Sequence, residues 1–264
     1  IRRILEAVTG ESLPKDCFSS EKIDWIRMGT TVATNALLER KGEKTILVTT
    51  KGFRDLLKIG NQSRPKIFDL KIKKYDLLFK EVIEVNERVR ILRHNEEKSL
   101  HSASKIVEGM TGEKFVLMDI PDLTLVRKQL EKLYFKGFRS VAVVFLHAYS
   151  FPDHEKQIGE LAREIGFEQI SLSHEVMPMV KMVARGDTTT VDAYLTPHIS
   201  NYLDGFRKGF RDNLEKTQLL FMQSDGGLTD SRNFKGSNAI LSGPAGGVVG
   251  YARSSEFKQP SNRF

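Results

Sequence analysis

The chain has one cysteine, Cys17, among its 264 residues. That rules out an internal disulfide and suits a reducing compartment such as the cytosol. No apolar run approaches the ~20 residues needed to cross a bilayer, so no membrane partner is expected. The first residues, Ile1-Arg2-Arg3-Ile4, carry neither Met nor a signal-peptide pattern, and a start other than the native one is expected. Internal repeats, heptads and low-complexity tracts are also missing. So are a Walker-type phosphate loop and a G-x-G-x-x-G fingerprint. The formal charge of +7 invites a nucleic-acid partner. However, the Lys and Arg are scattered among 34 acidic residues and form no basic tract, so no nucleic acid is expected. The basic excess equally suits a small anionic ligand.

What is present reads as an ordinary globular α/β chain, 40% hydrophobic and 28% charged, long enough for one large or two modest domains. Ile1–Val8 has helical apolar spacing and stops at Gly10. Ile23–Met28 alternates like a strand, and Gly29 ends it. Thr30–Lys41 then reads as a helix capped by Thr30 or Thr31 and closed by Gly42, and Thr45–Thr50 is the next strand. This predicts a βαβ unit with Gly29-Thr30-Thr31 at the strand-to-helix turn, the edge where open α/β sheets bind ligands. The same residues also fit a plain amphipathic helix with a capping Thr. Arg54, in Lys51–Gly60, can hold an anion through its planar fork or pair with Asp55 or Asp69. Glu81–Leu92 alternates like one half-exposed strand. Arg93–Glu113 is polar and aperiodic, predicting a mobile insertion in which His94 and His101 are solvated and show no metal-ligand spacing.

A second alternation begins with a helix from Leu123 to Gly137. Val141–Leu146 follows, a continuous apolar run expected of a parallel strand covered on both faces. His147 stands at its C-terminal end, with a helix from Asp153 or His154 to Gly166 beyond it. His147 fits either a general base or a histidine satisfied by backbone at a strand end. A two-histidine metal site has only one carboxylate nearby, and no metal is expected. Gln169–Leu172 is a short strand, Ser173–Pro178 an irregular turn, and Val191–Leu214 a helix interrupted by Pro197. Asp187 before it is either a free carboxylate or its cap.

The segment Leu219–Gly250 organises the rest. An apolar strand, Leu219–Met222, stops at the polar turn Ser224-Asp225-Gly226-Gly227. A second apolar run, Ala239–Leu241, leads into Ser242-Gly243-Pro244 and then Ala245-Gly246-Gly247-Val248-Val249-Gly250. The small residues fit either tight turns between strands or a helix packed closely against a ligand cleft. The tail Arg253–Phe264 is polar and is expected to be disordered.

SDGGL followed by LSGPAGGVVGY resembles the hydantoinase/oxoprolinase family, as do GTTVATNALLERKG and the pattern His147-Ala148-Tyr149…Pro152…His154-Glu155. The resemblance spans nearly all of residues 1–252. It implies an α/β fold of the actin/Hsp70-like, ribonuclease H-like type with mixed-sheet domains, incomplete at both ends. Residues 1–180 would be the N-terminal domain without its first phosphate-loop strands, and 181–264 the truncated start of the hydantoinase A/oxoprolinase domain. It further implies a cytosolic, homodimeric parent using ATP and Mg²⁺ to open a cyclic amide, 5-oxo-L-proline, to L-glutamate. Thr30, Thr31, Asn35 and Arg54 would face the substrate cleft. Gly226, Gly227, Ser242, Gly243, Gly246 and Gly247 would serve the cofactor, and His147 and Asp225 the chemistry. Pro244–Gly250 would be a hinge helix whose Gly246 and Gly247 are required by close packing. Both phosphate loops of the family fall outside this sequence, so the chain alone is expected to be inactive. A hydantoinase, a ketone carboxylase subunit and a non-catalytic binding module are the alternatives.

Overall fold

The computed structural model describes residues 1–264 except 15–16, 62, 65, 69, 72–73, 95, 97–104 and 257–264. In chain order the elements are α1 (Arg2–Thr9), β1 (Trp25–Met28), α2 (Val32–Leu38), β2 (Thr45–Thr50) and α3 (Leu56–Ile59). Next come β3 (Phe79–Val85), β4 (Arg88–Ile91), β5 (Lys105–Glu108), β6 (Lys114–Asp119), α4 (Leu123–Phe135) and β7 (Ser140–Val144). They continue as α5 (Asp153–Ile165), β8 (Gln169–Leu172), α6 (Ser173–Val176) and α7 (Met182–Arg207). The last are β9 (Gln218–Met222), β10 (Leu228–Asp230), α8 (Gly236–Ala239) and α9 (Ser242–Glu256). No helix among the described residues is long and apolar enough to cross a membrane. The class is α/β with parallel and antiparallel sheets, in two compact units. Unit 1 is Ile1–Gly42 with Leu195–Phe264, and unit 2 is Glu43–Tyr194.

Unit 2 is built on four parallel strands in the order β3-β2-β7-β8. Every residue of β2 and β7 is buried, as expected of parallel strands covered on both faces, and the threonines of β2 and Ser140 of β7 are buried with the apolar residues. On one face Ile46, Val48, Val141 and Val143 meet Val126, Leu130 and Leu133 of α4 and Ile158, Leu161 and Ala162 of α5. Those helix positions recur at three- and four-residue spacing, which gives each helix one apolar stripe. Asp122 caps α4 by accepting from the Leu125 N–H, and Gly166 closes α5 in the left-handed conformation. On the other face Leu47, Ala142 and Val144 pack with Leu57 and Ala193. A separate antiparallel sheet, β4-β6-β5, carries its own small core of Val89, Phe115 and Phe151.

Unit 1 is organised by β9, which pairs in parallel with β1 and antiparallel with β10. Trp25 lies opposite Gln218 and Met28 opposite Phe221. Phe221 is buried and stacks on Phe234 at 4.8 Å. Leu195, Ile199 and Leu203 form a buried stripe on the second half of α7, which tolerates Pro197 in its interior.

Several expectations are corrected. β1, α2 and β2 do not form a βαβ unit. The two strands lie in different sheets, and β1 takes β9 as its partner. Glu81–Leu92 is two strands, broken at Asn86-Glu87, with β3 in the parallel sheet and β4 in the antiparallel one. Within Arg93–Glu113, β5 pairs with β6; His94 is exposed and His101 lies outside the described residues. Ser173–Val176 is a helical turn rather than irregular. Asp187 cannot cap, because α7 already begins at Met182. The apolar run Ala239–Leu241 is the join of α8 to α9. The tail remains helical through Glu256; residues 257–264 lie outside the described set.

Gly109, just past β5, tests the packing of the small sheet. A Cβ there would collide with Ser150 Oγ and sit 2.6 Å from Phe115 Cε2, with the Ser150 carbonyl 3.1 Å away. Backbone and ring cannot yield as a flexible side chain can. Gly109→Ala is expected to destabilise by ~1–3 kcal/mol, read by urea denaturation.

Candidate functional site

The turn after β1 and the start of α9 meet in unit 1. The Thr30 N–H donates to Ser242 Oγ at 3.3 Å, and Ser242 is fully buried. Thr30 Oγ1 in turn accepts from the Val32 N–H at 3.2 Å, so Thr30 supplies the side-chain cap of α2. Thr31, the residue before the helix, makes no capping bond. Its exposed hydroxyl takes only a long 3.4 Å contact from Asn35 Nδ2. Thr34 Oγ1 donates to the Ile240 carbonyl, tying α2 to the segment entering α9.

Opposite lies the turn between β9 and β10. Asp225 Oδ1 accepts from the Gly227 N–H at 2.8 Å, and the Gln223 N–H donates to the Gly227 carbonyl at 2.7 Å. The turn needs a positive φ of 85° at Gly226, which glycine adopts without strain. Ser224 Oγ donates to the Asn238 carbonyl and accepts from the Leu241 N–H, anchoring the turn to α8.

A cleft of about 940 Å³ opens between these pieces, all within unit 1. Gly29, Thr30, Thr31, Gly226, Gly243 and Gly246 line it, and Arg27 and Arg253 bring cationic groups. Its lining contains no carboxylate. Arg27 is braced over the Trp25 ring at 4.0 Å. Two guanidiniums, a free hydroxyl and approachable backbone suit an anion with many oxygens.

Glycine spacing on α9 differs from the expectation. The tight contact falls at Gly243, where a Cβ would sit 2.6 Å from Thr31 Cγ2. At Gly246 it would be 3.7 Å from Met222 Cγ, an ordinary contact, and at Gly247 nothing lies within 4 Å. Asp225 is exposed at the turn.

His147 and Arg54 belong to unit 2. Arg54 is exposed, with its guanidinium 3.4 Å from the Val82 carbonyl. His147 sits where β7 ends, in a turn held by buried polar side chains. Glu155 Oε1 accepts from the Phe145 N–H at 2.9 Å, and Arg185 Nη2 donates to the Phe145 carbonyl at 2.7 Å. The Leu146 N–H donates to Thr50 Oγ1, whose hydroxyl donates to Glu87, and Glu87 also holds His154 at 2.8 Å. Glu155 accepts further bonds from Ser173 Oγ and the His174 N–H, with His174 Nδ1 2.7 Å away. His147 leaves this clamp at φ 61°, a left-handed conformation uncommon outside glycine. Burial, then Arg185 and Arg88, hold its imidazole below the ordinary histidine value, against Glu87 and Glu113.

Of these buried groups, Glu87, Arg185 and the role of Glu155 were not anticipated. Glu155 shares the stripe of Ile158 and Ala162, and a carboxylate on an apolar stripe is the signal that could have found it. Among the described residues no group of three or more His, Cys, Asp or Glu could hold a metal ion.

With this geometry in place, kinship can be read. Residues 1–166 match the profile of the hydantoinase/oxoprolinase N-terminal region, and 185–262 that of hydantoinase/oxoprolinase. The chain belongs to the hydantoinase/oxoprolinase family. It is 53% identical to a 5-oxoprolinase of Dictyostelium discoideum and 51% identical to 5-oxoprolinase 1 of Arabidopsis thaliana, each over 96% of this chain. It spans 20% of the length of either relative. A nucleotide-free acetone carboxylase shares the fold, with a TM-score of 0.72 and 20% identity over 96% of this chain and 34% of that one. The chain therefore shares the mixed α/β fold of that structure.

Two outcomes check the site. Gly243→Ala forces Thr31 and the β1–α2 turn apart and is expected to cost ~1–3 kcal/mol, whereas Gly247→Ala, in open helix, should stabilise by ~0.5–1 kcal/mol. Calorimetric melting of both variants separates the two signs. The depressed His147 value also predicts a pH effect. The unfolded chain takes up that proton first as pH falls, so stability is intact above about pH 6.5 and declines as pH drops toward the folded value. Urea titrations across that window should show a shallower decline in His147→Asn, which tolerates the same backbone.

Proposed function

We propose that this chain is part of an ATP-dependent 5-oxoprolinase, which opens the lactam of 5-oxo-L-proline to give L-glutamate. The observation that carries this reading is the identity of 53% and 51%, over 96% of the chain, to two proteins so named. A ketone carboxylase reading has weaker support, since the likeness to acetone carboxylase at 20% identity speaks to fold alone. The single cysteine fits a cytosolic setting. A homodimer is the assembly the family resemblance implies.

A lactam is unreactive because its nitrogen lone pair is delocalised into the carbonyl. Bound ATP supplies the phosphoryl group that would make the ring carbon a better electrophile for water. The unit 1 cleft fits the anionic part of such a nucleotide: Arg27 and Arg253 offset negative charge, and the Thr31 hydroxyl is free to donate. Gly29, Gly226 and Gly243 let ligand oxygens approach the backbone. The lining does not fit Mg²⁺ by itself, because it offers no carboxylate. Asp225 is the carboxylate nearest in sequence, and its Oδ1 is engaged by Gly227.

The full-length protein is expected to form glutamate from 5-oxo-L-proline only when ATP is present, followed by amino-acid analysis. ATP-dependent carboxylation of a ketone without glutamate formation would contradict the reading. Thr31→Val keeps the methyl against Gly243 and removes only the hydroxyl. It should lower kcat/KM by about 10–100-fold with an unchanged melting temperature.

A further inference from the structure

His147 and Tyr149 stand two residues apart in the turn that ends β7, with ring centroids 6.1 Å apart. Both are half-buried, and neither the imidazole nor the phenol hydroxyl has a hydrogen-bond partner among the described residues. Around them the polar groups are consumed: Glu155, Ser173 and Thr50 are each engaged by named partners, and Ser150 bonds Glu113. Among the described residues the buried side-chain atoms without a partner are Gln129 Oε1 and Asp212 Oδ1, so the imidazole and phenol heads are reachable from solvent and open to a ligand.

The backbone says the same. His147 holds φ 61°, a position where Gly would sit with less strain. The turn is fixed on both sides of Phe145 by Glu155 and Arg185, buried groups of α5 and α7. Phe115 lies 5.6 Å from the imidazole and makes an apolar wall. The position is the carboxyl edge of a parallel sheet, where loops leave the strands and ligands can enter. The charged groups facing it are Arg185, Arg88, Glu87 and Glu113. Glu87 is engaged by Thr50 and His154, and Glu113 by Thr111 and Ser150. The guanidiniums are engaged too, Arg185 by Ser173 and backbone carbonyls and Arg88 by the Lys51 carbonyl, so the open imidazole and phenol are the donors left for a ligand oxygen.

We propose that His147 and Tyr149 form a ligand site on unit 2 that binds an anionic oxygen of a small molecule, a carboxylate or a phosphate, by donation from the imidazole N–H and the phenol O–H. This site is distinct from the unit 1 cleft. Its two probes, 5-oxo-L-proline and ATP, are taken from the proposed function. A neutral imidazole suits the role, since it can donate from one nitrogen and accept from the other.

The test is equilibrium dialysis of each probe against full-length wild type, His147→Gly and Tyr149→Phe, with melting temperatures measured in parallel. His147→Gly relieves the left-handed strain and should melt at or above wild type. Tyr149→Phe should melt as wild type does. Both should bind one probe about tenfold more weakly or worse. Weakening for 5-oxo-L-proline identifies a carboxylate site, and weakening for ATP a phosphate site. Wild-type affinity for both probes in Tyr149→Phe overturns the proposal, even if His147→Gly fails to fold. A wild-type protein that binds neither probe overturns it as well. Wild-type turnover, assayed separately, decides the oxoprolinase reading, so the two can fail independently.

Discussion

Where a parallel strand ends inside a protein, its last N–H and C=O groups lose their ladder partners and must find others. Both units meet that constraint with side chains. In unit 1, Ser242 accepts from the Thr30 N–H beyond β1, and Ser224 bridges the β9 turn to Asn238 and Leu241. In unit 2, Glu155, Arg185 and Thr50 take up the N–H and C=O of Phe145 and the N–H of Leu146. Leaving one such group unpaired costs ~1–3 kcal/mol. The residues beyond each strand end are thereby held in one conformation, and these are the residues that line the cleft and carry His147.

The two solutions differ in chemistry. Unit 1 uses hydroxyls and glycines, which leaves backbone reachable and a lining with guanidiniums but no carboxylate. Unit 2 uses buried ionic groups. Arg185 is fully buried, and burial pushes its guanidinium down from its ordinary value. It is tolerated because its nitrogens reach Ser173 Oγ and the Met179, Val180 and Phe145 carbonyls. The proposed handling of an anionic nucleotide rests on the first arrangement and the proposed second site on the other.

Local elements were legible in the sequence because their causes are local. The Gly10 and Gly166 stops, the Leu130 stripe and the apolar run from Val141 in β7 follow from φ preferences and periodicity. Pairing was not legible. β1 finds its partner at β9, far along the chain, and no local pattern encodes that choice. The break at Asn86-Glu87 was hidden because alternation continues across it while the chain changes sheets. Of the residues picked out for the site, Gly29, Thr30, Thr31, Gly226, Gly243 and Gly246 line one cleft in unit 1, whereas Asp225, Gly227, Ser242 and Gly247 are not in its lining. The tight glycine was misplaced, since only the fold brings Thr31 against Gly243. Glu87 and Arg185 were missed because charged residues in a sequence look like surface.

The proposed activity depends on the unit 1 cleft receiving the nucleotide. Hydrogen–deuterium exchange on the full-length protein, with and without ATP, reports on that directly at the backbone. Slower exchange at the amides of Gly29–Thr31 and Gly226–Gly227 on ATP addition is the predicted result. Protection confined to other segments, with these amides unchanged at saturating ATP, would contradict it.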